Sequence, residues 1–219
     1  MKKLLLFVLA LIMTVSALTA CEGNNDDISP VPKQYLPQIP EGGIEMLDSN
    51  IVKSTITSTD DGNGNYSNPV IFADVPDIDF IRVDDAYYMV STTMHLSPGC
   101  PIMKSYDLVN WEIVNYVFNT LDDADNLALR NGEHSYGKGQ WAASIRYHNG
   151  IFYVGFLSYS TGKSYIYYTK DIENGKWDRF VFDEGFHDMS LLFDEDGRVY
   201  LVYGGGQIWC VELEKDLSA

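Results

Sequence analysis

Two aspartates are the strongest chemical candidates in this chain. Asp77 and Asp188 each open a run of β-branched and aromatic residues, Asp77–Tyr88 and Asp188–Tyr200. A third run of the same form, Ala142–Tyr153, carries alanine at that place. A lone Asp before a strand is most simply a turn residue whose carboxylate bonds nearby backbone. Two carboxylates at one position of a repeated unit carry more weight. If the units surround an axis, equivalent positions converge and the two acids face one space. Such a pair, pointing into one axial pocket, is a stronger chemical candidate than either Asp alone.

The elements that would position these acids can be read from the repeat. Helix-period patterns are almost absent after residue 66, and short strand-like runs alternate with turn signals. Asp84-Asp85, Asn149-Gly150 and Asp196-Gly197 sit between paired runs; Asn, Asp and Gly tolerate the positive φ that hairpin turns need. The downstream halves repeat too. Pro101–Ser105 leads to Asp107–Trp111, Ser164–Thr169 leads to Asp171–Trp177, and Gln207–Glu212 leads to Asp216–Ser218. Each full unit is then four antiparallel strands, the last led by Trp (Trp111–Phe118, Trp177–Phe182). Four-stranded units recurring at this period predict β-propeller blades, and an all-β fold. The blades span 77–118, 142–183 and 188–219, the third stopping on the turn before its fourth strand. A propeller needs at least four blades to close. About two and a half blades therefore predict a piece of a longer protein; a small open sheet ending there would leave long apolar edges unpaired.

Composition narrows the partners. Apolar residues at 46% and aromatics at 13% suit a globular domain. The net charge of −16 becomes −18 without the two lysines of residues 1–20 (−16 − 2), which makes nucleic acid a poor partner. Residues 1–20 read as a targeting segment: Lys2 and Lys3, then an apolar run from Leu4 to Val15, too short for a typical span of about 20 residues. It ends in Leu18–Cys21, which resembles a bacterial lipobox, with Cys21 lipidated; an ordinary secretory signal is the plainer alternative. Residues 21–66, rich in Pro, Gly, Ser, Asp and Asn, read as a flexible tether, with a first ordered segment near Gly43–Met46. The domain would then be 67–219, anchored at the outer membrane, cell surface or periplasm of a bacterium. Cys100 and Cys210 read as two buried thiols rather than a bridge.

Asn68–Val70, Pro76-Asp77, Asp84–Thr93, Trp141-Ala142 and His187–Ser190 together resemble family 43 glycoside hydrolases. The resemblance runs from about Asn68 to the end. It implies a five-bladed β-propeller and inverting hydrolysis of xylose- or arabinose-containing plant polysaccharides or oligosaccharides. It puts the general base at Asp77 and, at Asp188, the acid that tunes and orients the proton donor. Inversion needs base and acid roughly 6.5–9.5 Å apart, leaving room for a water. An ionised Asp188 nearby would keep the donor protonated by like-charge repulsion. The donor itself is a Glu of the family's next blade. Glu212 and Glu214 do not match it, being in a third strand and its turn, so this chain alone is expected to be inactive.

The resemblance also implies no redox or organic cofactor; the calcium that relatives hold near the axis has its expected ligand in a later blade. A monomer is expected. Trp141 resembles the aromatic wall on which a sugar stacks; a core Trp is the alternative. Met94 and His95 are candidates for the pocket rim, and His187 for a substrate contact. Arg146 neighbours an axial position, though strand alternation turns some such residues away. Asp79, two residues past Asp77, could support it by hydrogen bonding. Trp111 and Trp177 read as packing residues, and Gly204–Gly206 as a close-packed turn. No HExxH, GxSxG or zinc-type cysteine pair is present. The rival from another class is a non-catalytic glycan-binding propeller; a further rival is a retaining five-bladed enzyme of the fructan-hydrolase kind.

Overall fold

The computed structural model describes residues 54–55, 59–95, 97–121, 124–214 and 217. The targeting segment, Cys21 and Gly43–Met46 lie outside the described residues. Among the described residues, twelve strands form three antiparallel sheets. The first holds β1 (Ser54–Thr55), β2 (Asp79–Val83), β3 (Ala86–Val90), β4 (Gly99–Ser105) and β5 (Glu112–Phe118), in the order β1-β5-β4-β3-β2. The second is a plain meander of β6 (Gln140–His148), β7 (Ile151–Ser158), β8 (Lys163–Thr169) and β9 (Asp178–Phe182). The third is β10 (Ser190–Phe193), β11 (Val199–Tyr203) and β12 (Trp209–Leu213). The sheets are antiparallel throughout, in keeping with the all-β propeller expected, and one strand is an addition. Ser54–Thr55, in the segment read as tether, pairs with Ile113 and Glu112 as an outer fifth strand of blade one.

The turn chemistry explains the registers. Asn149 (φ 49°) and Gly150 (φ 79°) close β6 onto β7 in a two-residue loop, His148 facing Ile151. Asp84 (φ 54°) does the same between Val83 and Ala86. After the third strand of each full blade, one carboxylate organises the turn. Asp107 Oδ1 accepts from the backbone N–H of Val109 (2.8 Å) and Asn110 (2.7 Å). Asp171 Oδ1 accepts from those of Glu173 (3.2 Å) and Asn174 (3.0 Å). Leu108 (φ 67°) and Leu217 (φ 66°) share the left-handed conformation at matching places of blades one and three.

Packing between blades makes the core. Val90 and Ile102 of blade one meet Ile145, Val154, Phe156 and Tyr165 of blade two, all fully buried. Phe156 stacks with Tyr165 and Tyr167 and touches Phe118, centroids 5.5–5.7 Å away. Ile166 and Phe182 of blade two pack with Met189, Leu191 and Leu201 of blade three. Each such side chain contributes about 1.5–3 kcal/mol on leaving water. Trp111 is buried, its Nε1 donating to Leu108 O (3.1 Å), and Trp177 packs half-buried on the first core; both are packing residues, as expected. Cys100 is buried and free. Cys210 is also free but exposed, contrary to expectation, because β12 is the outermost strand of its sheet among the described residues.

Candidate active site

The innermost strands of the three blades, β2, β6 and β10, lie side by side with β6 in the middle. Asp77 and Asp188 each sit two residues before the strand of their blade, and both have left-handed backbone, φ 51° and 49°. That conformation is uncommon outside glycine, though Asp tolerates it better than most. Residues held there by their surroundings concentrate at functional sites. The corresponding Ala142 lies inside β6 instead. A bulge between Gln140 and Ala143 inserts one extra residue at that point, and Ala142 has no positive φ.

The two acids are exposed and differently held. Thr92 Oγ1 donates to Asp77 Oδ2 at 2.8 Å, while Thr92 N and Ser91 Oγ both donate to Pro76 O, fixing the bend that presents Asp77. His187 Nε2 stands 3.4 Å from Asp188 Oδ2. The other ring nitrogen, Nδ1, is 3.2 Å from the Tyr159 hydroxyl. Tyr159 in turn meets Trp141 edge to face, centroids 4.5 Å apart, and the His187 ring is 6.0 Å from Trp141. Trp141 is half-buried, and its Nε1 donates to Gly137 O at 3.1 Å. Trp141, Tyr159 and His187 thus form one aromatic cluster beside Asp188. Tyr159 was not singled out in the sequence; it follows the second strand of its blade, where the run of strand residues already offers several tyrosines.

His95 stacks on Tyr136 (3.9 Å, 17°) and its Nδ1 accepts from Gly137 N at 2.6 Å. It therefore shares Gly137 with Trp141 and belongs to the rim of the same cluster. Met94 enters differently from expectation. Its backbone carbonyl accepts from Gly139 N at 2.9 Å, pinning the long loop before β6. That loop is held at its other side by Ser135 Oγ against Ser160 Oγ (2.5 Å) and by Ser160 N on Lys138 O (2.6 Å), next to Tyr159. Buried Gln140 accepts from both Thr93 N (2.9 Å) and Thr93 Oγ1 (2.8 Å), joining the blade-one segment that carries Thr92 to the start of β6.

Asp79 does not support Asp77. Its Oδ2 accepts from Ile145 N (2.9 Å) and Arg146 Nη1 (2.6 Å). Arg146 also donates through Nε to Leu191 O (3.1 Å) and through Nη2 to Ser190 Oγ. One guanidinium thus joins the inner strands of all three blades, each time near the second residue after a blade opening. The described residues contain no group of three or more His, Cys, Asp or Glu that could hold a metal. Asp79, the carboxylate on these inner strands, is already engaged by Arg146, so this part of the fold does not fit a calcium site.

Two left-handed aspartates at blade openings and an aromatic cluster beside one of them thus lie on a frame of antiparallel sheets. The chain belongs to the glycosyl hydrolases family 43, whose pattern it matches over residues 66–219. It is 39% identical over 150 residues to a beta-xylosidase of Formosa agariphila, covering 65% of this chain and 24% of that one. It is 34% identical over 140 residues to a non-reducing end alpha-L-arabinofuranosidase of Bacteroides ovatus, covering 63% and 26%. Among solved structures, the bifunctional GH43-CE protein of Bacteroides eggerthii superposes with TM-score 0.67 at 48% identity, over 76% of this chain and 20% of that one. The chain spans about a quarter of the length of these curated relatives.

Proposed function

We propose that this chain supplies part of the active site of an inverting glycoside hydrolase acting on xylose- or arabinose-containing oligosaccharides or polysaccharides. The observation that carries this reading is the matched left-handed setting of Asp77 and Asp188 at two blade openings, with the Trp141–Tyr159–His187 cluster beside the second. In this reading Asp77 takes the proton from the attacking water, and its exposure leaves room for that water. Thr92 orients the carboxylate by one hydrogen bond. Asp188 places negative charge beside the proton donor and keeps that donor protonated. Trp141 presents a ring for sugar stacking, with Tyr159, His187 and the His95–Tyr136 pair shaping the walls.

The proton donor is the residue the chain does not match to a family position. The 219-residue chain is accordingly proposed to bind sugar without hydrolysing it, and the parent protein to hydrolyse it. Lipidation at Cys21 would hold the domain at a bacterial membrane surface, and a Cys21→Ala variant released into the soluble fraction would support that. The test of the catalytic reading is release of p-nitrophenol from the xyloside and the arabinofuranoside by the full-length protein and by Asp77→Ala. Equal rates would remove Asp77 from the mechanism. The anomer of the first product separates inverting from retaining chemistry. A full-length protein that binds xylo- or arabino-oligosaccharides yet releases nothing would favour the glycan-binding alternative, which the unmatched donor supports.

A further inference from the structure

We infer that His187 is the positioning residue of Asp188, its ring locked with the proton on Nε2 by Tyr159 on one side and the carboxylate on the other. The inference rests on the catalytic reading of Asp188 for its meaning, though not for its test. The two nitrogens of the ring face different partners: Nδ1 the Tyr159 hydroxyl at 3.2 Å, Nε2 the Asp188 carboxylate at 3.4 Å. An ionised carboxylate accepts only, so a proton on Nε2 is the form that suits a ring nitrogen standing 3.4 Å from it. Nδ1 is then the acceptor, and the tyrosine hydroxyl is the donor that fits it. The Nε2–Oδ2 contact is an ion-pair distance, longer than an ordinary hydrogen bond, so it favours one tautomer through charge as much as through bonding.

The surroundings restrict the ring to this setting. Trp141 lies across from it, tilted with centroids 6.0 Å apart, and Tyr159 at 6.3 Å. The fourth side is backbone. Gly204 N donates to His187 O at 2.8 Å, and Gly205 lies so close that a Cβ there would stand 3.1 Å from His187 Cδ2 and 3.5 Å from Nε2. The glycine run between β11 and β12 therefore makes a wall against which the imidazole rests, and this gives the run a role beyond turning the chain. Asp77 has no such arrangement: its bonded partner is a threonine hydroxyl. A positioned imidazole would hold one oxygen of Asp188 in place and leave the other turned to the site.

The test uses the 219-residue chain labelled with nitrogen-15 and long-range proton–nitrogen correlation of its four histidines at mildly alkaline pH. The expected result is a single tautomer for His187, with Nδ1 unprotonated and Nε2 protonated. Asp188→Asn is expected to abolish that bias, while Asp77→Asn leaves it intact and the other three histidines report that the fold is kept. Tyr159→Phe is expected to shift His187 part of the way toward the Nδ1-protonated form. A mixed or Nδ1-protonated His187 in the unaltered chain, or a bias that survives Asp188→Asn, overturns the inference. In the full-length protein, His187→Gln, whose amide can still donate, should keep more turnover than His187→Leu at similar KM; equal losses also count against it. If the tautomer is fixed as stated but Asp77→Ala hydrolyses normally, the catalytic reading falls and the coupling stands. If Asp77→Ala is inactive and the tautomer is mixed, only this inference falls.

Discussion

The openings of blades one and three share a backbone and differ in what touches it. Both present an exposed Asp with φ near 50°, two residues ahead of an inner strand. Asp77 meets a hydroxyl, which can turn but cannot change charge. Asp188 meets an imidazole, which is directional and can gain a proton. The fold delivers two equivalent carboxylates, and the neighbours make them unequal. On the proposed reading, a repeated architecture in this way obtains two roles from one structural position. Paired acids need that kind of divergence if one is to abstract a proton and the other is to hold a field.

The contrast can be attacked at its strongest point first. In the full-length protein, Asp77→Ala should lower turnover of aryl glycosides by about 10²–10⁴-fold, the usual weight of a general base. Asp188→Asn should lower it less and narrow the pH range of activity, as expected of a residue acting through the donor. Similar losses with similar pH profiles would erase the distinction between the two openings.

Next comes the residue that links them. Arg146→Met removes a guanidinium from a half-buried pair and leaves Asp79 facing Ile145 N alone. Fully buried pairs broken on one side cost about 3–5 kcal/mol; with side chains about one-third exposed, about 1–3 kcal/mol is expected in urea unfolding. Ser190→Ala, on the blade-three side of the same guanidinium, should cost under about 1.5 kcal/mol. A larger loss from Ser190→Ala would mean the blade-three contacts carry the clamp.

The smallest effects concern pH and the outer turns, away from the openings. Hydrogen bonds from the Asn110 side chain, then from the Asn110 and Val109 backbone, hold the Asp107 carboxyl down to about 2. Its folded value is below its unfolded one, so its contribution is present above about pH 4 and is lost as pH falls toward 2. Asp107→Asn should flatten the acid side of the stability curve. At the other end, burial and then the hydrogen bond to Glu173 push the Tyr88 hydroxyl up to about 12. Its contribution is complete below pH 10 and lost as pH rises through about 12. Tyr88→Phe should flatten the alkaline side. Both are read from thermal midpoints against pH, and curves unchanged by either substitution would contradict the assignments.

Much of this arrangement could be read in the residues. Asn149-Gly150 gave its hairpin because two positive φ values in sequence select those residue types. The Asp107 and Asp171 turns and their trailing tryptophans repeat because a carboxylate two to three residues ahead of bare N–H groups is a local device. The placement of Asp77 and Asp188 followed from that period. Arg146 did not, because alternation along β6 is broken by the bulge after Gln140, and counting by twos from Trp141 misplaces everything beyond it. Tyr159 acts through a contact with His187, 28 residues away, that no local pattern encodes. Ser54–Thr55 is too short to leave a pattern, and its pairing is set by the free edge of β5. Asp79 failed as a helper of Asp77 because a cation from the next blade reaches it first.

The Arg146 clamp also has a consequence in time. A chain leaving the ribosome presents Asp79 first, and its partner follows only 67 residues later. Ser190 comes a further 44 residues on. Until then the inner edge of blade one carries an unmatched inward charge, which is poor material for pairing with a stray strand. Contacts so far apart in sequence carry a loop-closure cost, and the clamp needs residues of all three inner strands. Arg146 thereby ties the three inner strands together only once residues as far along as Leu191 have been made.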